Sequence, residues 1–295
     1  MADDGAYPGL HLPIKRPDLH IALALGGGGA RGLSHILVLE AFDDLGVKPT
    51  VMAGTSIGAL IGAAYASGLS GAEIRDHVMK LFGDRRELAR KVMQTRSGKF
   101  IDLFQSGING SVMIDPVRLL AQLLPSGVAL DFKDLEIPFT AVATDFWSRA
   151  EARMSDGPLI TAIGASIAIP SVLKPVIRDG RVLIDGGAAN PLPFDLFDRS
   201  VDICVAVDVT GGPVRKDKAK HPAPGPFEAM FGTLQIMMTS IVNEKLKGRH
   251  PDILIRPDVD RFKVLDFLKA GQILKAAEPI KDETKRRLER LLEAA

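Results

Sequence analysis

One cysteine stands in 295 residues, Cys204. A single thiol excludes an internal disulfide framework and a multi-cysteine metal site. It lies in the apolar run Ile203-Cys204-Val205-Ala206-Val207 and reads as a buried core thiol. Net charge is nearly absent as well. The 37 Lys and Arg residues oppose 36 Asp and Glu, a formal +1, so no global basic field recruits nucleic acid. No run approaches the roughly 20 apolar residues that span a bilayer. Residues 1–19 carry Asp3, Asp4, Pro8, Pro13 and Pro17 without an apolar h-region. They read as a flexible lead-in, not a signal peptide. A cytoplasmic protein is expected, with peripheral contact at a membrane surface left open.

What is present is ordinary for a globular chain: 46% hydrophobic and 25% charged residues, enough for one large α/β domain or two small ones. Ile21-Ala22-Leu23-Ala24-Leu25 suits a strand buried on both faces. Leu33 to Leu45 has helical apolar spacing, with Gly46 as its stop. Val51-Met52-Ala53 is a second strand, and Ala59 to Ser67 a helix of small residues. This βαβα opening predicts a right-handed crossover and a parallel sheet. Further helices are expected over 71–82, from Asp115-Pro116 to Leu124, over 158–169 with Pro170 as its stop, over 227–246, and over 265–292 with a break at Pro279. Strands are expected over 138–144, 149–154 (antiparallel to the one before), 181–184, 203–209 and 252–256. Residues 84–107, basic then apolar, read either as a solvated helix with a packed loop or as a lid. Residues 211–226 read as a disordered loop. No internal repeat is visible. The division expected is a lead-in over 1–19, a catalytic domain over 20–275 and a C-terminal helix over 276–295.

Gly54-Thr55-Ser56-Ile57-Gly58 is the stretch on which chemistry turns. A serine in G-x-S-x-G can sit on a sharp, strained strand-to-helix turn with its hydroxyl exposed above the sheet. A serine hydroxyl needs a base, and its attack needs N–H donors for the oxyanion. Gly26-Gly27-Gly28-Gly29-Ala30-Arg31-Gly32, at a strand end opening a helix, is the donor candidate. The same residues fit a dinucleotide-binding G-x-G-x-x-G. That reading needs a ribose-binding acid at the end of the second strand, where the elbow stands instead. Six histidines compete for the base: His11, His20, His35, His77, His221 and His250. Only His221 and His250 follow the acid candidates in chain order, and both read as surface residues. The aspartates at strand ends are Asp145, Asp185 and Asp208. Asp185 is set apart by Gly186-Gly187, which allow close backbone approach, whereas turn or capping roles suit Asp145 and Asp208.

In that order, the glycine loop, the elbow and Asp185-Gly186-Gly187 resemble the motifs of the patatin-like phospholipase family. Ala165-Ser166-Ile167-Ala168-Ile169-Pro170 and the continuation Ala188-Ala189-Asn190-Pro191-Leu192-Pro193 are similar to two further segments of it. The resemblance covers about residues 20–275 and is to the compact bacterial type. It implies a three-layer α/β/α fold with a mostly parallel central sheet. It implies a Ser-Asp dyad, with Ser56 as nucleophile, Asp185 as base and the N–H groups of Gly27, Gly28 and Gly29 as oxyanion hole. Gly26, Gly32, Gly54, Gly58, Gly186 and Gly187 would support these motifs, and Arg31 would orient the loop or meet a lipid phosphate. The implied substrate is a fatty acyl ester or phospholipid, with no metal, cofactor or nucleotide. Acyl transfer through the same acyl-enzyme, or an inactive lipid-binding module, are the alternatives.

Overall fold

The computed structural model describes residues 19–83, 86, 88–90, 113–198, 200–212 and 223–294. The lead-in, the stretch over 84–107 and the loop over 211–226 expected from the sequence lie wholly or mostly outside these residues. The strands are β1 (Ile21–Leu25), β2 (Val51–Thr55), β3 (Phe139–Asp145), β4 (Ala150–Met154), β5 (Val176–Arg178), β6 (Arg181–Asp185), β7 (Ile203–Val207) and β8 (Ile253–Ile255). Pairing follows β5-β6-β3-β2-β1-β7-β8, with β4 on β3. The pairs β1–β2, β1–β7, β2–β3 and β7–β8 are parallel; β3–β4, β3–β6 and β5–β6 are antiparallel. The fold is α/β with a mostly parallel central sheet, as expected.

The central strands alternate large and small residues, and the alternation builds two different cores. In β1, Ile21, Leu23 and Leu25 face the larger core, while Ala22 and Ala24 face a smaller one with Cys204, Ala206, Phe194 and Val242. Small residues on that second face let the chain after β6 and helix α6 (Pro226–Gly248) lie close against the sheet. The opposite face takes α1 (His35–Asp44), α2 (Ile57–Ala66) and α5 (Leu159–Ser166). Around these pack α3 (Gly71–Gly83), α4 (Pro116–Leu123), α7 (Ala270–Ala277) and α8 (Pro279–Ala294). Gly46 ends α1 at φ 63°, with Val47 N–H donating to Phe42 O at 3.1 Å, the αL stop its position suggested. Asp115 caps α4 through Val117 and Arg118 N–H. Among the described residues no helix is long and apolar enough to cross a membrane.

Several boundaries differ from expectation: β5 was not expected, the helix expected from Leu265 begins only at Ala270, and three further differences bear on the site. The helix expected to run to Ile169 ends at Ser166, because the Ser166 side chain is drawn into the sheet, where it donates to Val142 O. The strand β7 stops at Val207, two residues early, because Asp208 folds back onto Thr210. The second strand instead runs two residues further, to Thr55, and so delivers Ser56 directly.

One feature of the sheet places the site. Residues Ala141 and Val142 of β3 pair with both β2 and β4, so those two strands lie on opposite edges. Residues Ala143 to Asp145 pair with both β4 and β6. Since β4 fills the far edge, β6 must share the near edge with β2. The two strands therefore meet end to end along β3, with Thr55 opposite Val142 and Asp185 opposite Ala143.

Candidate active site

Ser56 sits at that junction with φ 54° and ψ −121°, a left-handed conformation that a non-glycine residue adopts only when its surroundings hold it there. Here they do. Ser56 N–H donates to Ser166 Oγ at 2.8 Å, and Ser166 passes the bond on to Val142 O at 2.5 Å. Thr55 Oγ1 donates to Asn190 O at 2.7 Å. Gly58 lets the turn press on β1: a Cβ there would lie 2.1 Å from Leu25 O. Ser166 was part of a segment noted in the sequence, but its bond to the elbow had no local signal.

Ser56 Oγ donates to Asp185 Oδ2 at 2.6 Å, and Gly187 N–H donates to the other carboxylate oxygen at 2.8 Å. Asp185 is itself fixed by its N–H on Ala168 O at 3.0 Å and by Thr144 Oγ1 donating to its carbonyl at 2.9 Å. The carboxyl faces a cleft lined by Ile169, Pro170 and Met238. Desolvation there pushes its pKa up to about 6, against the pull of its two donors. The other aspartates are spent locally. Asp145 accepts from Trp147 and Ser148 N–H in a turn, and Asp208 from Thr210 and Arg256.

The glycine loop lies beside Ser56. Gly26 N–H donates to Val207 O at 3.0 Å, Gly27 N–H to Pro191 O at 2.8 Å, and Ala30 N–H to Val264 O at 2.7 Å. Gly27, expected in the oxyanion cradle, has its N–H committed elsewhere and acts as an anchor of the loop. Gly28 and Gly29 line the cleft with Ser56, and their N–H groups have no acceptor among the described residues. Neither tolerates a Cβ, which would lie 2.1 Å from Val209 O at Gly28 and 2.3 Å from Val264 O at Gly29.

Two buried bases brace this loop. Arg31 is 1% exposed. It donates to Thr210 O, and with the Gln235 amide oxygen turned towards it, to Gln235 at 2.9 and 2.6 Å. Burial lowers its pKa to about 10, with Asp260 and Asp208 opposing the fall, so it stays charged. Arg31 thus ties the loop to α6, whose Gln235 the sequence did not single out. His35 is fully buried, with its pKa pushed down to about 4. The neutral ring donates Nε2–H to Gly26 O at 2.8 Å. His35, which chain order had already set aside as a base, is a structural brace. Among the described residues no histidine bonds to Ser56; His77 is engaged with Leu123 O, and His11 and His221 lie outside them.

Two cavities open at Ser56 and Gly29. One, of about 90 Å3, lies under α6 against Asp185, Phe231 and Met238. The other, of about 520 Å3, is walled almost wholly by apolar side chains of α2, α3 and α4 and by Leu265, Phe267 and Leu268. No group of three or more metal-ligating side chains occurs among the described residues.

The profile of the family described as patatin-like phospholipase matches residues 23–198. An uncharacterised NTE family protein of Mycobacterium tuberculosis is 34% identical over 199 residues, covering 66% of this chain and 51% of that protein. Human patatin-like phospholipase domain-containing protein 6 is 31% identical over 281 residues, 86% of this chain and 19% of the relative. The chain thus spans about half the length of the first and about a fifth of the second. Among solved structures, VipD from Legionella pneumophila aligns over 94% of this chain and 67% of its own, with TM-score 0.51 and 15% identity, a likeness of fold.

Proposed function

The chain belongs to the patatin-like phospholipase family, and from that premise we propose that it is a serine lipid acyl hydrolase working through a Ser56–Asp185 dyad. The observation that carries the reading is the 2.6 Å bond from Ser56 Oγ to Asp185 Oδ2 at the mouth of an apolar cavity of about 520 Å3. Ser56 Oγ attacks the acyl carbonyl while Asp185 takes its proton. The carbonyl π pair moves to oxygen, and the N–H groups of Gly28 and Gly29 receive that oxyanion. Collapse expels the alcohol, which leaves with the proton from Asp185. Water then attacks the acyl-enzyme, gives its proton to Asp185 and releases the fatty acid, and Ser56 recovers its proton. An ordinary aspartate, near 3.9, is a weak base. A pKa of about 6 gives Asp185 more basicity while leaving it ionised at neutral pH.

The acyl chain occupies the larger cavity, and the alcohol leaves through the smaller cleft under α6. Substrates of the class are phospholipids, lysophospholipids and simpler fatty acyl esters. Ile236, Met237, Leu265 and Leu268 expose apolar side chains on α6 and the segment before α7, and three of them line the two cavities. With Lys263 and Lys269 on the same segment, that rim suits peripheral contact with a lipid surface.

The test is hydrolysis of a chromogenic short-chain ester together with fluorophosphonate labelling mapped by mass spectrometry. Ser56→Ala and Asp185→Asn are each expected to lose about a thousandfold or more in kcat/KM, with the label on Ser56. Folded protein that takes no label, or an Asp185→Asn variant at wild-type rate alongside an inactive His250→Ala, sinks the dyad. Product analysis with an added acceptor alcohol separates hydrolysis from acyl transfer.

A further inference from the structure

The larger cavity follows a single helix face. Its α2 wall is Ile57, Leu60, Ile61 and Ala64, spaced i, i+3, i+4 and i+7, so it runs along two turns of α2 from the nucleophile. Ser56 is the residue before that helix. At 1.5 Å per residue, Ala64 stands roughly 12 Å further along the axis. It is also the last α2 side chain to reach the cavity. Ala64 is 3% exposed, and Ile74 of α3, which lines the same cavity, is 4% exposed. His77 Nε2–H donates to Leu123 O at 2.7 Å, which fixes the spacing of α3 and α4. The cavity thus lies between helices held at a set spacing, with a small residue, Ala64, at the last lining position of the helix that starts at the nucleophile.

We infer that Ala64 sets the length of acyl chain that Ser56 accepts, and that the preferred substrate carries a straight chain of medium length. The inference rests on the proposed acyl-enzyme reading. A fully extended chain covers about 1.2 Å per bond, from the 3.3–3.6 Å of three backbone bonds. Roughly 12 Å along α2 therefore holds about ten carbons before the chain meets Ala64. Longer chains must bend or leave carbons outside, and shorter ones leave apolar wall unfilled. A larger side chain at position 64 projects into the cavity, because its neighbours on the same face line it.

The experiment measures kcat/KM for p-nitrophenyl esters of four to sixteen carbons, with melting temperatures, for wild type, Ala64→Leu, Ala64→Phe and Ile74→Ala. Wild type is expected to peak near ten carbons. Ala64→Phe is expected to move the optimum down by about three carbons and to lower the ten-to-four-carbon ratio by about fiftyfold, at roughly fourfold for each methylene no longer buried. Ala64→Leu moves it in the same direction by less, and Ile74→Ala moves it upwards. A folded Ala64→Phe protein with the wild-type ratio overturns the assignment. If that variant fails to fold, an Ile74→Ala profile identical to wild type overturns it instead. Loss of all Ser56-dependent ester hydrolysis would strike the dyad reading and take the chain-length assignment with it. An active enzyme with an unmoved profile strikes the latter alone.

Discussion

Around Ser56, the proposed catalytic corner and the apolar chamber hold their shapes by opposite means. At the corner, backbone and side-chain hydrogen bonds fix nearly every atom: Ser56 through Ser166, Thr55 through Asn190, Asp185 through Gly187, Thr144 and Ala168, and the glycine loop through Val207, Pro191, Val264 and His35. In the chamber, α2, α3 and α4 turn their apolar faces inwards but stand apart, and one bond, His77 to Leu123, crosses between α3 and α4. The difference matches the tasks proposed for the two regions. Placing a nucleophile, a base and an oxyanion depends on directional bonds good to a fraction of an ångström. Holding a hydrocarbon chain requires apolar area and room, which are non-directional. The corner is therefore expected to be brittle and the chamber tolerant, with chamber changes redirecting specificity more than they abolish activity.

The largest effect that could break this comparison comes from one methyl group at the corner. Gly28→Ala would put its Cβ 2.1 Å from Val209 O, a backbone atom that cannot swing aside. A loss of about a hundred- to a thousandfold in kcat/KM is expected, far more than the same small increment costs in the chamber at Ala64. Steady-state kinetics on a short ester decide it, and near-wild-type activity would show that the loop is not held as tightly as its contacts suggest.

Ser166→Ala comes next. It removes the acceptor of Ser56 N–H and a donor to Val142 O. Leaving such groups buried and unpaired costs about 1–3 kcal/mol. Denaturant unfolding should record that loss, and kcat should fall about tenfold while the chain-length profile stays in place. A changed profile with unchanged stability would mean that the two regions are not independent.

The smallest effect expected is the pH response of Asp185. Its folded pKa, about 6, lies above the unfolded value of 3.8. The ionised form is therefore the one that burial disfavours. The stabilising share of this group is complete below the unfolded value and is lost as pH rises through about 6. Wild-type kcat/KM should rise with pH through the same range, because the base must be ionised. Asp185→Asn removes that titration, so its melting temperature relative to wild type should increase between pH 4 and pH 8. A difference independent of pH would mean that the carboxyl is not desolvated as its position indicates.

Much of the corner was legible in the chain because its parts are local. Apolar runs of five residues announced β1 and β7, and Gly46 and Asp115 marked helix ends through rules that reach only a few residues. The elbow and the glycine loop showed as motifs, and the resemblance they carry matches the family found. Other features were hidden. The Gly27 N–H was assigned to the cradle because nothing nearby in sequence revealed Pro191, which takes it. Chain order set His35 aside as a base, but its burial beneath Gly26 and its bracing role had no local signal. The chamber was hidden most completely. The apolar periodicity of α2, α3 and α4 reads the same whether helices pack together or enclose a cavity.

The sequence by itself determined most of the strands, though not the short edge strand β5, and marked the turn that carries a serine between two glycines. Short-range sterics, capping and alternation of large and small residues suffice for that. The tertiary structure alone decided that Ser56 meets Asp185, 129 residues away. The two come together because β4 takes the far edge of β3 and leaves β2 and β6 to share the near one, end to end. Edge occupancy and the space left between helices are properties of the whole assembly. No local stretch of chain carries the pairwise contacts that set them.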